Sequence, residues 1–166
     1  MPESRHLRAA LTDAPAPNDV VDAVLAASRA LVGVAARSLA GLEEEVTLPQ
    51  YRMLVILCSR GPQRMAELAA ALAVNPSTAT RMTDRLVAKK LARRSRLTTD
   101  RRSVRISATD HGRELVDHVT ARRRQEIGAI VRPMPERTQR LVVTALRLFA
   151  DAAGEVPEQT WSAGWE

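Results

Sequence analysis

The stretch Val74-Asn75-Pro76-Ser77-Thr78-Ala79-Thr80-Arg81-Met82-Thr83-Asp84-Arg85-Leu86-Val87-Ala88-Lys89-Lys90 decides how this chain folds. Asn75 can accept an orphan backbone N–H on its side-chain oxygen. Proline at a first helical position lacks only an N–H that would go unpaired anyway, so Asn75 and Pro76 together write a helix start. At about 100° per residue, Ala79, Met82 and Leu86 fall on one side of a helix from Pro76 to about Lys90. Ser77, Thr78, Thr80, Arg81, Asp84 and Arg85 fall on the other. The first side needs an apolar partner, and the second offers small hydroxyls and guanidinium groups to something polar.

Immediately upstream, Met65 to Leu72 reads as a short helix whose many alanines let a neighbouring helix approach closely. Downstream the period changes from helical to alternating. Arg94, Ser95, Arg96 and Leu97, then Ser103, Val104, Arg105, Ile106 and Ser107, read as two short strands. Their turn, Thr98 to Arg102, contains Asp100, which can bond its own backbone, and puts Arg101 and Arg102 at a hairpin tip. A short helix, a tight turn, a polar-faced helix and a basic hairpin make a winged helix-turn-helix. The outer face of the second of those helices suits the major groove of B-DNA, whose width admits a helix about 10–12 Å across.

The flanks are helical too. Thr47 to Gln50 fits a capping box ahead of a helix carrying Tyr51, Leu54, Val55 and Cys58 on its buried stripe, ended by Gly61 and Pro62. From Asp19 a long amphipathic helix places Val21, Val24, Leu25, Leu31, Val32, Ala35 and Leu39 on one stripe, interrupted by Gly41 and the acidic run Glu43 to Glu45. Thr109 and Asp110 can cap a fifth helix with Leu115, Val119, Ile127 and Ile130, ending near Pro133. A sixth starts at Pro135, sets Leu141, Val142, Ala145, Leu148 and Phe149 on one face, and stops at Gly154 and Pro157. The expected fold is therefore mainly α with a small β-hairpin wing: six helices, with dimerisation helices at both chain ends. Long apolar stripes at the two ends exceed what one small winged lobe can cover, and a second copy is the natural cover. The expected divisions are a flexible leader over 1–17, a first dimerisation helix and loop over 18–46, and a DNA-binding lobe over 47–109. C-terminal dimerisation helices over 110–154 and a tail over 155–166 follow.

Composition agrees. The 166 residues carry a net charge of +6, and residues 61–107 alone hold eleven Lys and Arg against three acidic residues, while both flanks are near neutral. Charge gathered in one block marks a site for a polyanion, whereas solubilising charge is spread out. Only two Trp, one Tyr and one Phe occur, too few for a protein that reads single strands by stacking bases. One cysteine makes no intramolecular disulfide, and no stretch approaches the roughly 20 apolar residues of a membrane span, so a cytoplasmic protein is expected.

These segments resemble the multiple antibiotic resistance regulator (MarR) family of bacterial transcription factors over roughly residues 20–153. Thr99-Asp100-Arg101-Arg102-Ser103-Val104, running into Ser107-Ala108-Thr109-Asp110-His111-Gly112, is similar to the family's Asp-x-Arg wing signature and the Thr-x-x-Gly helix start after it. Glu67-Leu68-Ala69 followed by Asn75-Pro76-Ser77-Thr78-Ala79-Thr80-Arg81 is similar to its helix-turn-helix. Ala108 departs from the family's common leucine. The resemblance implies a homodimer whose first, fifth and sixth helices interlock, with Val21, Val24, Leu25, Leu141, Ala145, Leu148 and Phe149 at the interface. It also implies a repressor on bacterial DNA, released by a small aromatic or anionic effector whose identity and pocket nothing in this sequence specifies.

Site assignments follow. Asn75, Pro76, Ser77, Thr78, Thr80, Arg81 and Arg85 form the reading set, with Arg81 best placed for a bidentate guanine contact. Arg94, Arg96, Arg101 and Arg102 serve the flanking backbone, together with Arg93 and Arg105. The resemblance implies that Asp100 braces the wing. The partner is a pseudo-palindromic duplex, with no cofactor and no metal. Cys58 on an apolar stripe reads as core filler rather than a sensing thiol. His111 and His118, seven residues apart, stand too far from each other for one ion. Tyr51 and Met53 read as core, and Trp161 and Trp165 as anchors for the tail or as part of an unanchored one. No nucleophile with its base and no phosphate-cradling glycine loop is legible, so no enzyme is expected. The competing reading is a protein-interaction module that grips an acidic partner with the same basic face.

Overall fold

A computed structural model describes residues 16–42, 45–96 and 104–156, and these form six helices and three short strands. The helices are α1 (Pro17–Leu39), α2 (Leu48–Arg60), α3 (Met65–Ala71), α4 (Pro76–Ala88), α5 (Asp110–Val131) and α6 (Glu136–Ala152); the strands are β1 (Gln63–Arg64), β2 (Ala92–Arg96) and β3 (Val104–Ala108). The chain divides into two units, residues 1–37 and 38–166. The first holds nearly all of α1, whose Val20, Val21, Leu25 and Val32 are about half exposed. The second holds everything else.

The core of the second unit is aliphatic. Met53, Leu54 and Leu57 of α2, Leu68 of α3, Leu86 of α4, Leu91, Ile106 of β3 and Val116 and Val119 of α5 are all essentially inaccessible. Helix α2 is buried nearly all round: Met53, Ile56 and Leu57 join the expected Tyr51, Leu54, Val55 and Cys58, as befits a central helix. Tyr51 is 3% exposed, and its hydroxyl lies 3.4 Å from Thr120 Oγ1. Both Tyr51 and Met53 are core residues.

Helix boundaries follow their capping chemistry. Gln50 N donates to Thr47 Oγ1 and Thr47 N donates to Gln50 Oε1, the reciprocal pair expected ahead of α2. Gly112 N donates to Thr109 Oγ1 at the start of α5. Three helices end in the same way. Val74 N bonds to Ala69 O and Ala73 N to Ala70 O; Leu91 N to Leu86 O and Lys90 N to Val87 O; Glu155 N to Ala150 O and Gly154 N to Asp151 O. Each is a Schellman motif, which needs a left-handed residue after the helix. Gly154 supplies it freely at φ 70°, whereas Ala73 at 52° and Lys90 at 58° adopt it against their Cβ atoms.

The sheet differs from expectation in having three strands rather than two, in the order β1-β3-β2. Strands β2 and β3 pair antiparallel from Ala92 opposite Ala108 to Arg96 opposite Val104, and β1 adds Gln63 opposite Ile106 and Arg64 opposite Arg105. A two-residue strand has no alternation to detect, so β1 is invisible to a pattern argument. The expected strands at 94–97 and 103–107 extend further toward the lobe, to Ala92 and Ala108, which pair with each other, while Leu97 and Ser103 lie outside the described residues. Helix α4 stops at Ala88, two residues short of the expected end, where its Schellman turn begins.

Candidate nucleic-acid interface

Asn75 organises the start of α4. Its Oδ1 accepts from Thr78 N and from Ser77 Oγ, each at 2.8 Å. Thr80 Oγ1 donates to Pro76 O at 2.9 Å, and Arg81 Nη2 donates to Thr78 Oγ1 at 3.4 Å. Both the Ser77 and the Thr80 hydroxyl thus spend their proton within the protein and keep their acceptor capacity. They can accept from an exocyclic amine of cytosine or adenine. Ser77, Arg81 and Arg85 are exposed, and Thr78 and Thr80 half-buried.

The opposite face of α4 packs inward through Ala79 and Leu86, as expected, but Thr83 is completely buried as well and Met82 only half. Thr83 Oγ1 lies 3.5 Å from Met53 Sδ and 3.8 Å from Met65 Sδ, so two thioethers serve a hydroxyl that water cannot reach. Helical spacing put Thr83 beside Met82 and Leu86; its polarity hid it. Beside the C-terminal half of α4, Arg85 and Lys89 join Leu42, Glu45, Val46, Thr47 and Gln50 around a cleft of about 490 Å³, and Lys89 Nζ donates to Glu45 O.

In the hairpin, Arg93 and Arg94 are exposed, and Arg93 Nε donates to Ser107 Oγ at 3.2 Å. Arg94 Nη2 pairs with Asp84 Oδ1 at 2.6 Å, a link between strand and helix that no local spacing rule would reveal. Arg105 is half-buried and donates from Nη1 to Pro62 O at 3.0 Å, so it ties β3 to the turn before β1 instead of facing outward. Asp100, Arg101 and Arg102 lie outside the described residues, as do the side chain of Arg96, the tail tryptophans Trp161 and Trp165, and residues 1–15.

The groups weighed for other chemistry are placed as follows. Cys58 is 6% exposed, and burial pushes its thiol up to about 11 against the opposing pull of Arg113. His111 and His118 are exposed on α5, and among the described residues no cluster of three or more His, Cys, Asp or Glu could hold a metal ion. No described helix is long and apolar enough to cross a membrane. Of the expected interface residues, Val21, Leu25, Leu141, Leu148 and Phe149 are each at least half exposed, Ala145 is exposed and Val24 half-buried. Helix α6 has no buried residue at all.

Helix, turn, reading helix and three-stranded wing define a winged helix-turn-helix protein. The sequence profile of the MarR family matches residues 46–104. RV1404 from Mycobacterium tuberculosis, a solved structure, is 43% identical, with 87% of this chain and 99% of that one covered at a TM-score of 0.79. The chain belongs to the MarR family, a family of transcriptional regulators. The HTH-type transcriptional repressor MdtR of Bacillus subtilis is 37% identical over 82 residues, 49% of this chain and 53% of MdtR. The matching stretch thus spans about half the length of the curated relatives. Bordetella bronchiseptica BpsR, whose DNA binding is regulated by 6-hydroxynicotinic acid, shares the fold at 23% identity and a TM-score of 0.59, with 80% of this chain and 93% of that one covered.

Proposed function

We propose that this protein is a homodimeric, sequence-specific DNA-binding repressor, without catalytic activity, that a small aromatic or anionic effector releases from a pseudo-palindromic operator. The observation that carries the reading is the outer face of α4. Ser77, Thr80, Arg81 and Arg85 stand together there beside an arginine-rich hairpin, in a block of net charge +8. Arg81 reaches a guanine edge, and the hydroxyls discriminate amine-bearing bases. The wing arginines Arg96, Arg101 and Arg102 bind the backbone or the minor groove beside it, with Asp100 bracing the turn.

Dimerisation is supported by the uncovered apolar face of α6, where Leu141, Leu146, Leu148 and Phe149 are each more than half exposed. A two-fold pair would set its reading helices about 34 Å apart, one turn of B-DNA. The cleft beside Arg85 and Lys89 abuts the reading helix, and an anion held there would act on that helix directly. Effector release requires that the ligand bind one spacing of the two lobes better than another.

Titration of the protein's own promoter fragment against a shuffled duplex, from 50 to 200 mM salt, tests the reading. Specific binding is expected, with affinity falling about 10³- to 10⁵-fold over that range for six to ten phosphate contacts. Equal affinity for both duplexes would refute it and leave the acidic-partner module in its place.

A further inference from the structure

We propose that Asp84 and Arg94 form one positioning unit, a charged clamp that sets the wing against the reading helix. Arg94 then acts on DNA through this clamp and does not grip a phosphate. The inference rests on the DNA-binding reading above and deepens it.

The geometry comes first. Arg94 Nη2 and Asp84 Oδ1 are 2.6 Å apart, the length of a charge-assisted hydrogen bond. The partners come from different elements: Asp84 lies on the outward side of α4, and Arg94 at the centre of β2, opposite Ile106 of β3. Strands of five residues make a ribbon that is marginal alone. Its lobe end is anchored by Ala92, Ile106 and Ala108 in the core and by β1, which adds Gln63 and Arg64. Farther out Arg93, Arg94 and Ser95 are exposed, and there the bond from Arg94 to the reading helix sets the tilt of the ribbon.

The electrostatics point the same way. A bare carboxylate on a face that meets phosphates repels them, and Asp84 stands on the side of α4 that carries Arg81 and Arg85. Arg94 neutralises it. Glu67, the other acidic residue described in the basic block, is likewise engaged within the protein, its Oε2 accepting from Arg64 N at 2.7 Å. The side chains of Arg94 and Asp84 are 40% and 52% exposed, and pairs so placed contribute little to folding. The pair's consequence therefore lies in orientation, and its loss leaves a folded protein.

The sign of one substitution separates the clamp from simple electrostatics. Asp84→Asn makes the face more basic, so charge alone predicts tighter DNA binding; the clamp predicts weaker. Wild type, Asp84→Asn, Arg94→Gln, the double variant and the charge swap Asp84→Arg/Arg94→Asp are titrated with the promoter fragment and a shuffled duplex between 50 and 200 mM salt. Thermal melts confirm that each is folded. The clamp predicts that both single changes weaken promoter binding about tenfold, within the coupling range of contacting pairs, and that the double change is no worse than either. It predicts an unchanged salt slope for Arg94→Gln and substantial recovery in the swap, which keeps both charges and so also serves should a neutralised variant fail to fold. Tighter or unaltered binding by Asp84→Asn, or a slope reduced by about one contact in Arg94→Gln, overturns the clamp alone. A wild type that does not prefer its promoter fragment overturns the DNA-binding reading itself.

Discussion

At Arg81 the guanidinium is drawn back over the first turn of α4 by Thr78, at the end of the helix that the proposed reading puts into a groove. Arg81→Ala is expected to cost about 1–3 kcal/mol on the preferred duplex and to relax the choice of base at one position. Arg101→Ala is expected to weaken all duplexes more evenly, and competition titrations against base-substituted duplexes would show the contrast. Gly112 is constrained by space: a Cβ there would meet Leu91 O at 2.1 Å, and that carbonyl also accepts from Thr109 N. Backbone cannot swing aside as a flexible side chain can. Gly112→Ala is therefore expected to destabilise by about 3 kcal/mol in urea titrations, which is the physical content of the Thr-x-x-Gly start. Burial raises the Cys58 thiol from 9.0 to about 11, so between those values the unfolded chain loses a proton that the folded one keeps. Stability contributed by the neutral thiol is complete below pH 9 and lost as pH rises toward 11. Denaturant midpoints measured across that window, flattened in Cys58→Ala, would check it.

Among the elements, helices were legible wherever their ends are written in side chains. Asn75-Pro76, Thr47 to Gln50, and Thr109 each cap a helix in the bond expected of them. C-termini were less legible, since Ala73 and Lys90 hold left-handed positions without glycine to announce them. Replacing either by glycine removes the Cβ strain, and Ala73→Gly and Lys90→Gly are each expected to stabilise by about 0.5–1 kcal/mol in urea unfolding, unlike glycine elsewhere. The rest of the site escaped notice for reasons of topology. Arg94 and Asp84 meet because a helix, a turn and a strand bring them together, and Arg105 turns to Pro62 because β1 exists. Charge alone made both arginines legible as cations, and their intramolecular partners stayed hidden. Pairing across elements depends on three-dimensional register, which a period of two or of 3.6 does not encode.

For the whole molecule, the decisive quantity is the apolar surface exposed among the described residues. Leu141, Leu148 and Phe149 of α6 expose 51%, 66% and 54% of their area, and Val143 and Leu146 line a groove of about 610 Å³ with Val156. Burying half of such a side chain is worth about 1 kcal/mol, and a second copy doubles every contact by symmetry. This helix is held to the lobe differently: Arg52 pairs with Glu155, and Arg60 Nη2 donates to Gly154 O at 3.3 Å, just beyond the helix end. Two charges on α6 are therefore expected to separate the protomers of the proposed dimer without unfolding the core that Leu54, Leu86 and Ile106 build. Leu141→Glu with Leu148→Glu is expected to halve the mass seen by sedimentation while the circular dichroism of the lobe persists. Each freed protomer then carries one reading helix, and binding to a two-half-site promoter should fall steeply. A half-site duplex should be held about as well as before. Retention of full promoter affinity by a demonstrated monomer would show that one copy suffices to read its target, and the two-fold operator would have no basis.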